Sequence, residues 1–214
     1  MGIALHHRGS LDAAIEAYNK AIKIDPHHPN TLNNMGISLK DKGEFDKAIA
    51  RYKQAIALKP DYADAYSNMG AILKNKGDFD GAINCFSKAV HLEPDNANFR
   101  HSLGRIQQEM GDLSAAMESY KNAIQTKPDQ ADFYYDLGNA LFSSGQKTAA
   151  INSYEKALEV EPNHALASHM LASLSGNTTS TAPKEYVKAL FDNYAPRFED
   201  SLVKNLGYGA PKRL

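Results

Sequence analysis

Histidine, cysteine and asparagine are the side chains here whose spacing could support chemistry. Histidine stands in adjacent pairs, His6-His7 and His27-His28. Imidazole binds metals, but adjacent residues on a helix point apart, and neither pair has a cysteine or carboxylate at ligand spacing. His27 and His28 fall between Pro26 and Pro29, in a turn. Surface histidines are the simpler reading, and no metal site is expected. Cys85, the single thiol, precedes Phe86 and reads as a partly buried structural residue. No catalytic residue and no cofactor are expected. Asparagine offers another chemistry. Asn34 and Asn68 lie 34 residues apart, and each amide carries two donors and an acceptor with two lone pairs. One such amide per structural unit can pair with the backbone of an extended peptide whatever its side chains. Ordinary solvated helix residues are the competing reading.

The elements that would position these groups are set by a period of 34 residues. Pro26, Pro60, Pro94, Pro128 and Pro162 stand at that interval. Proline lacks an N–H and its ring clashes with the preceding turn, so each one stops a helix. Gly2, Gly36, Gly70, Gly104 and Gly138 keep the same register. Glycine inside a helix costs about 1 kcal/mol against alanine, so five in register need a reason. The reason expected is a large side chain lying against bare backbone, and the matching residues are Tyr18, Tyr52, Phe86, Tyr120 and Tyr154. Ala14 and Ala21, with their counterparts in each unit, complete an i, i+4, i+7 face on a second helix. Gly9, Gly43, Gly77, Gly111 and Gly145 end the first helix in the left-handed conformation. Polar openings such as Glu44-Phe45-Asp46 and Asp78-Phe79-Asp80 are expected to accept the free N–H groups of the second. A fixed period with two helices per unit predicts a stacked all-α array.

The bulk of the chain narrows the function classes. A formal net charge of −1 over 214 residues argues against a nucleic-acid partner, which calls for a clustered basic excess. No apolar run approaches the roughly 20 residues of a membrane span, and the opening residues do not form a signal peptide. One cysteine excludes an internal disulfide and suits a reducing cytosol, so a cytoplasmic location is expected.

These registered residues resemble the tetratricopeptide repeat, whose pattern of Leu-Gly, aromatic, small residues and closing Pro is matched in all five units. The resemblance covers roughly residues 1–175. It implies a right-handed superhelical solenoid of antiparallel helix pairs, with a concave groove lined by first helices, that binds a protein or extended peptide. The units run 1–28 (incomplete), 29–62, 63–96, 97–130 and 131–164, with a capping helix over 164–175. The natural chain is expected to begin earlier than Met1. The uncovered strip at Met1, Ile3, Ala4 and Leu5 would then fray or self-associate into a homodimer or an end-to-end assembly.

The family's groove positions, carried onto this chain, give candidate peptide-binding residues Asn30, Asn34, Ser67, Asn68, Lys74, Asn98, His101, Arg105, Tyr135 and Asn139. Asn34 and Asn68 look like a short asparagine ladder, as in the repeats of O-linked N-acetylglucosamine transferases. It is broken at Ser102 and Asp136. The dicarboxylate clamp known in the family wants Lys and Arg where this chain has Asn, Asp or Ser, and is not expected.

Composition shifts at Ser175. A polar linker over 176–183 leads to a tail over 184–214 with two amphipathic stretches, Tyr186 to Tyr194 and Phe198 to Leu206. The text Tyr186-Val187, Leu190-Phe191-Asp192, Tyr194-Ala195, Phe198, Leu202-Val203, Leu206 and Tyr208 resembles the opening helices of class I S-adenosylmethionine-dependent methyltransferases fused behind such repeats. That resemblance implies a parent methyltransferase whose repeats recruit its substrate. The cofactor-binding strand and glycine-rich loop are absent from the sequence. A generic helical cap is the alternative for this tail, whose apolar faces would otherwise pack back on the solenoid, mediate a homodimer or be mobile.

Overall fold

A computed structural model describes residues 1–176. The tail and most of the linker, with their methyltransferase resemblance, lie outside the described residues. Eleven α-helices and no strand make up the described chain. They are α1 (Gly2–His7), α2 (Leu11–Ile24), α3 (Pro29–Asp41), α4 (Phe45–Leu58), α5 (Ala63–Asn75), α6 (Phe79–Leu92), α7 (Ala97–Glu109), α8 (Leu113–Thr126), α9 (Ala131–Ser143), α10 (Lys147–Val160) and α11 (Ala165–Leu174). Odd-numbered helices are the first of each pair and even-numbered helices the second. The chain is thus the all-helical solenoid expected from its period.

Local chemistry explains each boundary. The residue before a proline is pushed out of helical space. Asp25, Lys59, Glu93, Lys127 and Glu161 accordingly sit at φ −131 to −140°, and each second helix stops one residue earlier. First helices stop at glycines with φ +75 to +84°. There the Gly43 N–H bonds the Lys40 carbonyl at 2.9 Å and the Glu44 N–H reaches back to Leu39 at 2.8 Å, a Schellman pair that satisfies two orphan carbonyls. The same two bonds recur at the other four stop glycines of this register. Gly176 repeats the conformation at φ +76°, three residues early on the 34-residue grid, and α11 is correspondingly 10 residues long against 13 in α9.

Side-chain capping of the second helices is expected throughout but is made at only two of the five. Asp78 and Asp112 accept from the N–H of Gly81 and Ala115, both at 3.0 Å. Glu44 makes no such bond, because its carboxylate is taken by Lys42 at 2.8 Å and Lys47 at 2.7 Å. Those ammonium groups hold it down to about 2. Among the first helices α7 is capped by Asn96, and α3 and α11 by histidine. His28 Nδ1 accepts from the Thr31 N–H at 3.2 Å, and His164 Nδ1 accepts from Ala167 at 3.1 Å. His28, which reads as a surface residue, is therefore a helix cap, as is His164.

The glycine–aromatic contact is the core of each pair. A Cβ added at Gly36 would lie 2.5 Å from the Tyr52 ring, and at Gly104 and Gly138 2.7 and 2.6 Å from Tyr120 and Tyr154. Where the aromatic is Phe86, the same atom on Gly70 would stand 3.2 Å away. Ala48, Ala82, Ala116 and Ala150 are fully buried, as are Ala55, Ala89, Ala123 and Ala157. Ala21, their counterpart on α2, is exposed, as are Met1, Ile3 and Ile24. Ala55 is covered by Leu32 of α3, and no described residue stands in Leu32's place before α1. Leu5 is half-buried and packs against the core, so the strip expected to be uncovered is shortened by that residue.

Helix α3 packs against α5 and α7 against α9, while second helices meet chiefly first helices. First helices of successive pairs thus lie closer together than second helices, and the array bends toward them. Their free faces line its inner side.

Candidate functional site

Side chains of the inner face are held by links from one first helix to the next, each joining residues 35 apart. His6 Nε2–H donates to Asp41 at 2.9 Å, and Asn68 Nδ2–H donates to Asn33 Oδ1 at 3.1 Å. Lys74 Nζ meets Glu109 at 2.6 Å, and His101 Nε2–H donates to Asp136 at 2.7 Å. One such link crosses each of the four junctions from α1 to α9. They alternate between the stop-glycine end of the helices (His6–Asp41, Lys74–Glu109) and the middle (Asn33–Asn68, His101–Asp136).

This arrangement alters the asparagine reading. Asn33 is buried and bonded to Asn68, so one Asn68 donor is already spent. Asn34 is half-buried on α3, and its carbonyl accepts from Ser38. Asn30 and Asn98 are exposed at the starts of α3 and α7, and Ser67 is half-buried on α5. Lys74 belongs to a link. In the second half, His101 packs on Phe133 with centroids 4.6 Å apart and on Tyr120 at 5.5 Å. Tyr135 lies between Tyr154, at 6.0 Å, and His164, at 5.3 Å. His164 is nearly buried. Its Nδ1 accepts the cap bond, so the proton sits on Nε2 and is donated to Asp132 at 3.1 Å. Sequence reasoning passed over His164; its place immediately before α11, where a cap residue belongs, was the available signal.

The core tyrosines reach the inner face through their hydroxyls. Tyr120 donates to Gln108 at 2.9 Å and Tyr154 to Asn139 at 2.8 Å. The Tyr52 hydroxyl is buried with no hydrogen-bond partner. The corresponding residues in its pair are Ile37 and Lys40, neither of which can accept. In the third pair, where those places hold Ala71 and Lys74, the aromatic is Phe86 and has no hydroxyl to satisfy. Burial raises the Tyr52 and Tyr120 phenols well above their ordinary value, and a nearby carboxylate adds to each shift, Asp41 for the first and Asp136 for the second.

Charges on the inner face are mostly matched. Lys40 lies 3.5 Å from Asp41, and Lys74–Glu109, His101–Asp136 and His164–Asp132 are paired as above. Asp64 at the start of α5 is pushed up, first by burial and then by Glu93. Arg105 is the most loosely paired of these inner-face cations: its Nε reaches Asp136 only at 4.0 Å, and its side chain is 55% exposed. Phe142, on the same face of α9 as Tyr135 and Asn139, is 44% exposed. Among the described residues no cluster of three or more His, Cys, Asp or Glu side chains is placed to hold a metal ion. None of their helices is long and apolar enough to cross a membrane.

A TPR-repeat family model matches residues 2–43, 38–77 and 108–145, and a tetratricopeptide-repeat model matches 63–96 and 131–164. A crystal structure of MamA is 30% identical, with a TM-score of 0.71 over 77% of this chain and 96% of that one. YrrB, described as a TPR protein with an unusual peptide-binding site, is 21% identical, with a TM-score of 0.67 over 79% of this chain and 87% of that one. A thermophilic TPR protein of Thermus thermophilus is 23% identical, with a TM-score of 0.63 over 81% of this chain and 94% of that one. No curated protein matches the chain. With five glycine–aromatic pairs in register and family models covering the repeats, the chain belongs to the tetratricopeptide-repeat family.

Proposed function

We propose that this chain is a binding scaffold whose inner face, built by α3, α5, α7 and α9, holds an extended segment of a protein partner. The observation that carries this reading is the first-helix surface itself. It is cross-linked from helix to helix, so it is ordered before any ligand arrives, and it presents amides and aromatic faces whose neighbouring charges are mostly paired. Pre-ordering lowers the entropy cost of binding. Matched charges favour a ligand read through its backbone and apolar side chains over one held by a terminal carboxylate. Asn30, Asn34, Ser67, Asn68, Asn98, His101, Arg105, Tyr135 and Asn139 contribute donors, acceptors and ring faces, and Lys74 holds the wall through its link to Glu109. YrrB's description as a peptide-binding TPR protein supports the same reading.

A peptide library displayed on phage and selected on the whole chain tests it. Amide hydrogen exchange with a selected peptide should show protection concentrated in α3, α5, α7 and α9. Protection confined to second helices overturns the inner-face reading. Asn34→Ala with Asn68→Ala should weaken a selected peptide while helicity stays unchanged.

We extend this to a cytoplasmic protein without a nucleic-acid partner, in keeping with its near-neutral charge and its single, buried cysteine. The exposed Met1, Ile3 and Ile24 support a weak homodimer, which light scattering over a concentration series would register. The tail sequence favours a second reading, in which the groove recruits the protein substrate of a methyltransferase. A Val/Ile-rich strand and glycine-rich loop encoded after Leu214 would uphold it, and a stop codon there would end it.

A further inference from the structure

We infer that the α7–α9 stretch of the inner face is a subsite for an acidic residue followed or preceded by a bulky apolar one in an extended peptide. The inference rests on the groove reading above and names the ligand chemistry it leaves open. Three groups on two adjacent helices carry it. Arg105 on α7 is a cation whose nearest carboxylate is already committed: Asp136 Oδ2 accepts from His101 at 2.7 Å and lies 4.0 Å from the guanidinium. A guanidinium presents five N–H donors in a fixed fork that suits a carboxylate, and this one is more than half exposed. The surrounding ions do not compete for it, since Lys74–Glu109 and His164–Asp132 are paired at 2.6 and 3.1 Å. Charge complementarity therefore selects an acidic side chain.

Asn139 and Phe142 on α9 supply the rest. The Tyr154 hydroxyl donates to Asn139 Oδ1 at 2.8 Å. This fixes the amide and leaves its N–H2 to donate to a backbone carbonyl of the peptide. Phe142, one turn further along α9, is 44% exposed, and its counterparts in the preceding pairs are Lys40, Lys74 and Gln108. An aromatic in a place otherwise polar gives an apolar side chain a ring to cover. Backbone amide capture beside a charge and a ring is a two-point discrimination that the α3–α5 stretch, with Ile37, Ala71 and the paired Lys40 and Lys74, does not offer.

Short synthetic peptides with Asp or Glu set at varied spacing from Phe or Leu are the probe, alongside Asn or Gln and Ala controls. They are titrated calorimetrically into the full chain, Arg105→Gln and Phe142→Ser, with circular dichroism confirming that each variant stays helical. Acidic–apolar peptides should bind the full chain about tenfold more tightly than their amide counterparts, as a charge-assisted bond implies. Arg105→Gln should remove that advantage while leaving the amide peptides unchanged, and Phe142→Ser should weaken the Phe and Leu peptides only. Binding indifferent to the acid, or an acid preference that survives Arg105→Gln, overturns the subsite while leaving the groove reading intact. Absence of any peptide binding overturns both.

Discussion

The two halves of the inner face are built on one backbone pattern and differ in chemistry. Helices α3 and α5 present Asn34, Ile37, Lys40, Asn68, Ala71 and Lys74, small or amide residues with paired lysines. Helices α7 and α9 present His101, Arg105, Tyr135, Asn139 and Phe142. The structural positions beneath them scarcely vary: glycine against an aromatic, alanine on either side, a left-handed glycine at the stop. Packing within each pair constrains the latter set, since a single added methyl meets a ring. Packing holds the former only in part, as where His101 lies on Phe133, and its exposed members Arg105 and Phe142 are open to specialise. The tyrosines connect the two sets. Tyr120 and Tyr154 find acceptors because Gln108 and Asn139 occupy the inner face, and Tyr52 finds none because Ile37 and Lys40 do.

The sharpest way to break the shared pattern is at the glycines. Gly36→Ala places its Cβ 2.5 Å from the Tyr52 ring. It should cost about 2 kcal/mol in urea denaturation, overpacking outweighing the gain in helix propensity. Gly70→Ala, with 3.1 Å to Cys85 and 3.2 Å to Phe86, should be nearly neutral. Equal losses at both sites would mean that the tyrosine contact is not what holds glycine in place.

The links between first helices come next. His101→Ala removes both a link and a stacked ring and should cost about 2 kcal/mol, while Asn33→Ala, which removes one neutral link, should cost about 1 kcal/mol. Hydrogen exchange should report faster opening at the α7–α9 junction in the first and at α3–α5 in the second. Uniform loosening along the whole solenoid would contradict a junction-by-junction role.

Hydroxyl removal tests the halves against each other directly. Tyr120→Phe and Tyr154→Phe should each lose about 1 kcal/mol, whereas Tyr52→Phe should be neutral or slightly stabilising, because the hydroxyl it deletes is buried and unpaired. The same loss at all three would place an acceptor near Tyr52.

At neutral pH the smallest expected effect is that of Cys85, whose thiol acts only in alkali. Burial, with a contribution from Asp78, pushes its thiol from 9.0 up to about 11. The unfolded chain releases that proton first, so the thiol's contribution to stability is complete below pH 9 and declines as pH rises toward 11. Cys85→Ser should flatten that decline in a denaturation series. An alkylating reagent at about pH 8, below the ordinary thiol value, should modify Cys85 in the folded chain far more slowly than in urea.

Legibility followed the range of each interaction. The stop glycines, the pre-proline residues and the glycine–aromatic pairing could all be read in advance, because a φ angle, a ring clash or a missing Cβ is encoded within one 34-residue unit. Asp78 and Asp112 cap as their positions imply, yet Glu44 does not, since Lys42 and Lys47 reach its carboxylate first. His164 reads only as the start of the capping helix, and its role needed its two nitrogens placed against Ala167 and Asp132. The ten candidate groove residues were chosen by position in the first helix. That choice could not show that Asn68 would give a donor to Asn33, or that Lys74 would be tied to Glu109.

By itself, the sequence determined the unit: two helices, where each stops, and which faces they bury against each other. Those features arise from backbone conformation and steric contact within a unit and repeat with it. The tertiary structure alone decided which inner-face side chains are joined across junctions and which stay open. That outcome depends on how one pair is set against the next, which brings residues 35 apart in the chain within bonding reach and leaves Arg105 and Phe142 exposed between them.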